Sequence, residues 1–544
     1  MNLWSGRIVA RRGSSQSPPV RVAPVSYSFL IQPKWRRRIS HGAPWLLLAP
    51  IYLRYEFMFL RLNGWVNVDD PDMYRGIAEW FVDGYGFARP DTGHPTAYRP
   101  PLYPLLLTLC PLSTRDDRIL AMLHFVLGLA TLGLVWLAAA HLLKSAKCSG
   151  SLYDAVHTDV SSAFLSLPTI LAVMLTAIDP LLINSSSLVM SETLVAFLVS
   201  LLLWCVAREV TTRWRAVLLG IVFGLCCLCR PTFWAFGGLV ALVWIVRQFL
   251  TRHTTTTPPP LPFGERVGVR GAASVSESDS KASASADHPS PPAPLPKGER
   301  GDICAQTASV AHGQCPNEFL SRRLALCICL GTLVTVAPWA IRNLVVFGRP
   351  IVTTTHGGYT LLLGHNPVYY REVVEQPWGA VWPGESLTAW QRSLETAIRA
   401  DGVPPFDEVA RDRWMYQQAW GNIAHDPGMA VRAGLTLLGR FWNVVPMSTE
   451  GRSLPSVMWW GIGAFYTAVF VAGCRGVWRL TRDEWSRWWP LVALIVSFTC
   501  VHSLYWADMR MRAPLVPAIA LLAARGLRGS WIVDRAEGRK GDDA

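Results

Sequence analysis

Charged residues are scarce in this chain. Asp, Glu, Lys and Arg together make up 16% of the 544 residues, whereas hydrophobic residues make up 51%. Ordinary soluble domains contain about 25% charged residues and lack long apolar runs. The composition therefore excludes a string of soluble domains and predicts an all-α polytopic membrane protein that is solvated by lipid.

The sequence also lacks a set of cysteines and histidines spaced to hold a metal ion. Most of the twelve cysteines lie in apolar stretches, and Cys226, Cys227 and Cys229 share one stretch that contains no histidine. Cysteines in such a setting act as small packed side chains. We therefore expect no metal site and no disulfide framework.

A basic stripe of the kind that binds nucleic acid is missing, although the formal net charge is +13. The basic residues lie at the ends of apolar stretches, and residues 1–41 contain eight basic residues and no acidic one. This distribution follows the positive-inside rule. We expect both termini and residues 251–320 to lie in the cytoplasm, residues 63–117 and 342–454 to lie outside, and no nucleic-acid partner.

Ten apolar stretches approach the length of about 20 residues that a membrane-spanning helix needs. They are 43–61, 118–143, 162–180, 192–208, 216–230, 231–250, 323–341, 455–474, 488–506 and 513–530. The stretches 216–230 and 231–250 are separated by nothing more than a break at Arg230 and Pro231. We predict about ten transmembrane helices in a multi-pass protein of the inner (plasma) membrane.

The stretches divide the chain into predicted segments. Residues 1–41 and 251–320 are rich in Ser and Pro and predict disorder. The full division is a cytoplasmic tail 1–41, a transmembrane half 42–250 with the outer loop 63–117, an insertion 251–320, a transmembrane helix 321–341, an outer-side domain 342–454, C-terminal transmembrane helices 455–530, and a cytoplasmic tail 531–544.

The predicted outer-side domain has the patterns of a small helical unit. Residues 406–424 and 427–444 predict two helices that are separated by His425, Asp426 and Pro427. Turns nearer the membrane are predicted at Gly357, Gly358, Gly364 and Asn366.

The first outer loop places acidic and aromatic residues between two apolar stretches. Apolar residues recur there at helical spacing, namely Tyr74, Ile77, Ala78 and Phe81. This spacing predicts a short interfacial helix along the membrane surface. Asp70 followed by Pro71 is typical of a helix start, so a capping role for the Asp70 carboxylate competes with a catalytic one. The two roles are compatible.

The predicted topology brings charged residues together at the outer ends of the spans. They are Asp70, Arg99, Glu192, Arg342, Asp508, Arg510 and Arg512. Each residue alone has a structural explanation, such as favouring a helix terminus or reaching for lipid head groups. Together they suit a lipid that bears phosphate, because arginine binds phosphate by paired hydrogen bonds and a carboxylate accepts a proton.

Several motifs occur in a characteristic order. They are DDPDMY, AYRPPLYPLLL, SETLVAFL, GIVFGLCCLCRP, APWAIRNLVVFGRPIVTTTHGGY, LLLGHNP, AHDPGMAV and MRMRAPLVP. In this order the chain resembles the bacterial polyprenyl-phosphate-dependent glycosyltransferases of the GT-C fold, relatives of protein O-mannosyltransferases and of the lipid A aminoarabinose transferase. The resemblance covers about residues 42–530 without the insertion.

The resemblance implies a cell-envelope enzyme that transfers a sugar from a polyprenyl-phosphate donor to an acceptor on the outer face of the membrane. The donor is then the lipid substrate, and no catalytic metal or other cofactor is required. Whether the acceptor is a protein, a glycan or a lipid stays open.

The resemblance also implies roles for individual residues. Asp70 matches the carboxylate of the first outer loop and is the predicted general base of an inverting attack. The family more often has Asp-Glu here, whereas this chain has Asp70 and Pro71, so Asp69 stays an alternative. The predicted substrate-binding residues are Tyr74, Arg99, Glu192, Arg342, Asn343, Arg510 and Arg512, of which the last four match basic positions expected near the donor phosphate.

Two other functions compete with the enzyme. A transporter or flippase for lipid-linked sugars should show paired broken helices, repeated halves and ionisable residues near mid-membrane. The sequence shows no clear internal symmetry, and its charges gather at the outer edge, which favours the enzyme. A membrane scaffold without activity is the third hypothesis.

Overall fold

A computed structural model describes residues 52–62, 64–66, 70, 72–110, 117–143, 166–254, 321–447 and 455–528. The predicted disorder of 1–41, the predictions for 255–320 and the tail 531–544 lie outside these residues. Within the described ranges the secondary structure is helical and forms no sheet; Ala88 and Pro95 make an isolated antiparallel bridge. The predicted all-α class is confirmed for this part of the chain.

Four helices are long and apolar enough to cross a membrane. They are Asp117–Leu142, Phe233–Leu250 within the helix Phe233–Thr254, Arg322–Phe347 and Ser456–Trp478. A fifth span results if Leu167–Ala177 and Pro180–Ser186, which meet at an angle of 48°, are counted as one broken helix. These helices indicate a multi-pass membrane protein.

The remaining predicted spans also fall on helices where the structure describes them. The helices are 52–62, Glu192–Ala207, Arg213–Cys229, Arg482–His502 and Val516–Leu527. They are shorter than the four long helices or have charged residues in their first turn, as Arg482, Asp483 and Glu484 show. The count of about ten crossings therefore stays a prediction.

Close helix packing fixes the position of Arg230. The helix Arg213–Cys229 packs against Arg322–Phe347, and a Cβ atom at Gly220 would lie 2.1 Å from the carbonyl oxygen of Ile328. Small residues allow such close approach between membrane helices. Arg230 follows the last residue of this helix in an extended conformation, which turns its side chain towards the start of the neighbouring helix Glu192–Ala207.

The amphipathic helix of the first loop is confirmed at Tyr74–Val82. Tyr74, Ile77 and Ala78 are buried, while Phe81 is 43% exposed and contributes little to the packed face. The helix begins four residues after Asp70, because Met73 has a left-handed backbone with φ 58° that separates the loop from the first turn.

Residues 349–447 belong to the predicted outer-side domain and contain four helices of eight or more residues. They are Gly357–Gly364, Gly384–Ala400, Glu408–His425 and Pro427–Phe441. The last two confirm the predicted pair, and Asp426 caps the second one by accepting a 2.8 Å hydrogen bond from the backbone N–H of Met429.

The predicted turns at Gly357, Gly358 and Gly364 are wrong, because all three glycines lie in one helix. Their role is close packing: a Cβ atom at Gly358 would lie 2.2 Å from the carbonyl oxygen of Asp412. Glycine therefore allows this helix to lie directly against Glu408–His425. Asn366 does stand at a helix start, where its side chain accepts a 2.8 Å bond from the N–H of Tyr369.

Candidate functional site

Asp70 caps the interfacial helix from outside its first turn. Its Oδ1 accepts a 2.9 Å hydrogen bond from the N–H of Tyr74, and its Oδ2 accepts bonds of 2.7 and 3.2 Å from the N–H groups of Arg75 and Gly76. Burial raises the pKa of the Asp70 carboxyl, while the three N–H bonds act in the opposite direction and the net shift is upward. The carboxyl is thus oriented rigidly and made more basic.

Asp72 and Arg99 form an ion pair beside this helix start. An Nη2 atom of Arg99 lies 2.7 Å from Oδ1 of Asp72, and its Nε donates a 3.0 Å bond to the Asp72 carbonyl. The guanidinium of Arg99 also lies 5.7 Å from the ring centroid of Tyr74 and 5.0 Å from that of Tyr98. Arg99 therefore fastens the loop after Pro95 onto the start of the interfacial helix.

Glu192 is the buried centre of a second charged group. Its side chain is 3% exposed, and its Oε1 lies 2.7 Å from Nη2 of Arg230 and 3.5 Å from Nε of Arg510. A carboxylate buried at the start of an apolar helix needs such partners, because an unpaired charge there would be strongly destabilising. Arg510 remains 30% exposed and is the accessible cation of the group.

The two charged groups are close enough to act on one another. Burial raises the pKa of Tyr74 to about 12, and the charges of Arg99, Asp72, Arg230 and Glu192 modify this shift. The charges of both pairs therefore act on Tyr74. We call Asp70, Asp72, Tyr74, Arg99, Glu192, Arg230 and Arg510 the charged cluster.

Arg510 joins the same cluster from the C-terminal part of the chain. Burial lowers the pKa of its guanidinium, but the charges of Glu192, Asp508 and Asp72 outweigh this effect and raise it. Arg510 lies in the 3₁₀ helix Met509–Leu515, whose first turn is capped by Asp508. Residues separated by more than 400 positions in the sequence therefore share one electrostatic environment.

Arg342 and Asn343 lie in a different setting. Arg342 donates hydrogen bonds of 2.8 and 2.7 Å to the carbonyl oxygens of Thr96 and Phe87, and a 2.8 Å bond to the side chain of Asn343. Asn343 is completely buried and donates a 2.8 Å bond to the Ile351 carbonyl. The structure does not bring these two side chains into the charged cluster; they bind one another and the backbone oxygens of Thr96, Phe87 and Ile351.

Arg512 is also set apart from the cluster. It is completely buried, donates bonds of 2.8 and 3.0 Å to the carbonyl oxygens of Phe441 and Asn443, and lies 4.6 Å from the ring centroid of Tyr466. Its neighbour Arg510 faces the cluster, so the short helix turns the two arginines of the MRMR motif in different directions. The predicted phosphate-binding role of Arg512 finds no support in these contacts.

Glu408 connects residues 349–447 to the first loop. Its carboxylate accepts hydrogen bonds of 2.6 Å from the Thr96 hydroxyl, 2.9 Å from the Ala97 N–H and 2.9 Å from the Thr355 hydroxyl. Arg99 follows Ala97 by two residues. Glu408 therefore holds the segment that presents Arg99 to the cluster.

Sequence reasoning missed Asp72 and Arg230 as members of the site. Asp72 is absent from the predicted residues, and Arg230 enters the sequence analysis only as a break between two predicted spans. A signal for Arg230 was available, because a glutamate at the outer end of an apolar helix requires a cation nearby and Arg230 ends the adjacent predicted span. No comparable signal indicated Asp72.

Among the described residues, no three His, Cys, Asp or Glu side chains come together as possible ligands of a metal ion.

An apolar groove of about 740 Å³ runs along Ser456–Trp478 and includes Trp459, Trp460 and Arg475, but none of the predicted site residues lines it.

The comparisons with known proteins leave the resemblance as an expectation. No protein-family model matches this chain, no curated protein matches it, and no solved structure matches it.

Proposed function

We propose that this chain is a membrane glycosyltransferase that moves a sugar from a polyprenyl-phosphate donor to an acceptor on the outer face of the inner membrane. The observation that best supports the proposal is the charged cluster, in which the first loop, two apolar helices and the 509–515 helix contribute carboxylates and arginines whose charges act on Tyr74. The cluster lies at the ends of apolar helices, where the phosphate of a membrane lipid would reach it.

Arg510 is the first candidate for binding the donor phosphate. Its guanidinium is partly exposed, and its 3.5 Å distance from Glu192 leaves its hydrogen-bond donors less committed than those of Arg230. The leaving phosphate gains negative charge as the sugar bond breaks, and a guanidinium stabilises that charge by paired hydrogen bonds. Arg99 is the second candidate. It ranks behind Arg510 because two of its hydrogen-bond donors are already bound to Asp72.

Asp70 is the proposed general base. Among the described residues, its Oδ1 accepts one bond, from the N–H of Tyr74, and the raised pKa makes the carboxyl a stronger proton acceptor. The acceptor oxygen forms the new bond to the anomeric carbon while its proton moves to Asp70. The bond between that carbon and the phosphate oxygen breaks, and its electron pair leaves with the polyprenyl phosphate. The attack from the opposite face inverts the sugar.

A flippase for lipid-linked sugars is the competing proposal, and one observation favours it. The pair Leu167–Ala177 and Pro180–Ser186 is broken at Asp179, which is 3% exposed, and broken helices with ionisable residues are typical of transporters. The described residues contain one such pair and no second one in a corresponding position. An inactive scaffold is the remaining alternative.

The experiment that separates these proposals uses full-length protein in proteoliposomes loaded with a radiolabelled polyprenyl-phosphate sugar. A transferase should release free polyprenyl phosphate once an acceptor extract is added, with one phosphate formed per sugar transferred. Movement of the intact donor between leaflets without release would instead identify a flippase. Mass spectrometry of the lipid that co-purifies with the protein would identify the sugar.

A further inference from the structure

The helix Pro427–Phe441 is apolar on two sides. One side carries Ala433 and Phe441, which are completely buried in the protein. The other side carries Val431 and Leu435, whose side chains are 64% and 63% exposed. A helix that is apolar on both sides is usually surrounded by apolar material, either a protein core or lipid. The exposed side is therefore a candidate surface for a partner.

Trp378 extends this exposed side into a longer surface. Val431, Leu435 and Gly439 follow one another at intervals of four residues, so they lie along one face of the helix. A Cβ atom at Gly439 would lie 2.4 Å from the Trp378 ring, which therefore covers the place of a side chain at that position. The Trp378 side chain is itself 61% exposed. We call Val431, Leu435 and Trp378 the apolar stripe, and exposed apolar surfaces of this kind mark sites of interaction.

The helix that carries the stripe rests on the end of a predicted span. It packs against the helix Arg482–His502. A Cβ atom at Gly434 would lie 2.9 Å from the carbonyl oxygen of Ser503, the residue directly after that helix. This close contact places the helix Pro427–Phe441 at the predicted outer end of the span, beside the membrane surface.

The helix Ser456–Trp478 provides a scale for depth in the membrane. Trp460 and Trp478 are 69% and 86% exposed and stand eighteen residues apart, about 27 Å along the helix. This separation is close to the hydrocarbon thickness of about 30 Å, and tryptophans favour the two membrane boundaries. Phe470 stands ten residues beyond Trp460, and the ring centroid of Trp442 lies 5.3 Å from that of Phe470. The Trp442 ring therefore lies below the predicted outer boundary, within the hydrocarbon layer.

The backbone at the end of the helix Pro427–Phe441 has partners inside the protein. The carbonyl oxygens of Phe441 and Asn443 accept bonds of 2.8 and 3.0 Å from the buried Arg512. The carbonyl oxygen of Pro446 accepts a 3.2 Å bond from the indole N–H of Trp459. Water would satisfy these oxygens outside a membrane, whereas in hydrocarbon the protein has to supply the donors. The contacts of Arg512 and Trp459 thus suit a segment that reaches below the membrane surface.

We propose that the helix Pro427–Phe441 is an interfacial helix of the outer leaflet and that its apolar stripe binds the acyl chains of phospholipids. Interfacial helices bury an apolar face about 5–10 Å into the boundary between head groups and acyl chains. The helix adjoins Ser456–Trp478, which is long and apolar enough to cross the membrane, and this continuity favours lipid over a protein as the partner. Arg432 follows Val431 and is exposed, and an arginine at such a depth reaches the head-group phosphates with its guanidinium.

Part of the predicted outer-side domain is then held in the membrane, whatever reaction the protein carries out. The test is photocrosslinking of the full-length protein in phospholipid vesicles, with p-benzoylphenylalanine in place of Leu435 or, separately, of Val431. The benzophenone group inserts into nearby C–H bonds on illumination, so mass spectrometry should find covalent phospholipid adducts at both positions. Thr396, an exposed residue of the helix Gly384–Ala400, is the matched control, and the same replacement there should give no lipid adduct.

The two positions in the stripe give independent answers, so a failure to fold at one of them leaves the other to decide. Adducts at 431 and 435 to a second copy of the chain or to another protein would overturn the proposal in favour of a protein interface. Absence of lipid adducts at both positions in folded protein, or equal lipid adducts at 396, would also overturn it.

Discussion

Five arginines that lie in the candidate site or were predicted to lie there fall into two groups, which look alike in the sequence and differ in their partners. Arg99, Arg230 and Arg510 face carboxylates, whereas Arg342 and Arg512 donate to backbone carbonyl oxygens. Arg510 can bind the phosphate of a substrate and leave Glu192 paired, because Arg230 lies closer to that carboxylate, at 2.7 Å against 3.5 Å. An arginine that holds two carbonyls stabilises the backbone, and its loss leaves buried acceptors unpaired.

The largest effect is expected at Asp70, whose carboxylate caps the helix Tyr74–Val82 and is the proposed general base. Asp70→Asn should lower the rate of sugar transfer by about 10² to 10⁴, the usual contribution of a positioned base. Asparagine keeps one accepting oxygen, so at least one of the bonds from Tyr74, Arg75 and Gly76 is lost and the free energy of unfolding should fall by about 1 kcal/mol, while donor binding should stay close to wild type. The comparison is between turnover and melting temperature of the same preparation. Retained turnover in Asp70→Asn, with loss in Asp69→Asn or Glu192→Gln, would place the base elsewhere.

The two groups of arginines can be separated by identical substitutions. Arg510→Lys should lower turnover roughly 10- to 100-fold with little change in stability, because an ammonium cannot reproduce two parallel hydrogen bonds to phosphate. Arg342→Lys and Arg512→Lys should lower the free energy of unfolding by about 1 to 3 kcal/mol and leave the turnover of the folded fraction unchanged. Steady-state kinetics and thermal melts measure both quantities. The reverse pattern would show that backbone-bound arginines are the phosphate ligands.

Glu408 extends the comparison to a carboxylate that holds the loop of Arg99. Glu408→Gln replaces one accepting oxygen by a donor, so at least one of the three bonds from Thr96, Ala97 and Thr355 is lost. We expect a loss of about 1 to 2 kcal/mol in stability and a modest fall in turnover through the displaced Arg99. Glu375→Gln, an exposed change in the same segment, is the matched control. Equal behaviour of the two variants would contradict the role of Glu408.

The smallest expected effect is a pH dependence in residues 349–447. Burial raises the pKa of Asp412 to about 6, although the Gly358 N–H donates a 2.7 Å bond to it. The folded state then binds the proton more tightly than the unfolded state, so stability falls as pH rises from about 4 to about 6 and is constant above. Asp412→Asn should reduce this slope in thermal melts. An unchanged slope would assign it to another group.

Local patterns in the sequence predicted much of the fold. The helices Tyr74–Val82, Glu408–His425 and Pro427–Phe441 follow from apolar spacing, and Asp-Pro signals precede the first and the third of them at Asp70 and Asp426. Such features depend on neighbours a few residues apart, which a sequence displays directly. The predicted turn at Gly358 is wrong. Glycine occurs both in turns and where two helices pack closely, so its presence in the sequence does not separate the two cases.

The site was predicted in part. Asp70, Tyr74, Arg99, Glu192 and Arg510 lie together in the structure, whereas Arg342, Asn343 and Arg512 do not. The topology could place all of these residues at one end of the spans, but it could not say which side chains share a partner. Arg510 and Arg512 are two residues apart, and the direction of each depends on the 3₁₀ helix that contains them.

The sequence by itself determined that the chain is helical, that it is a membrane protein, and where its acidic and basic residues stand along each helix, because composition and periodicity are properties of the chain alone. The tertiary structure decided that Glu192 pairs with Arg230 and that Arg512 is buried against Phe441. These pairings depend on which helices touch and on how closely they approach, and that is set by packing between residues far apart in the sequence.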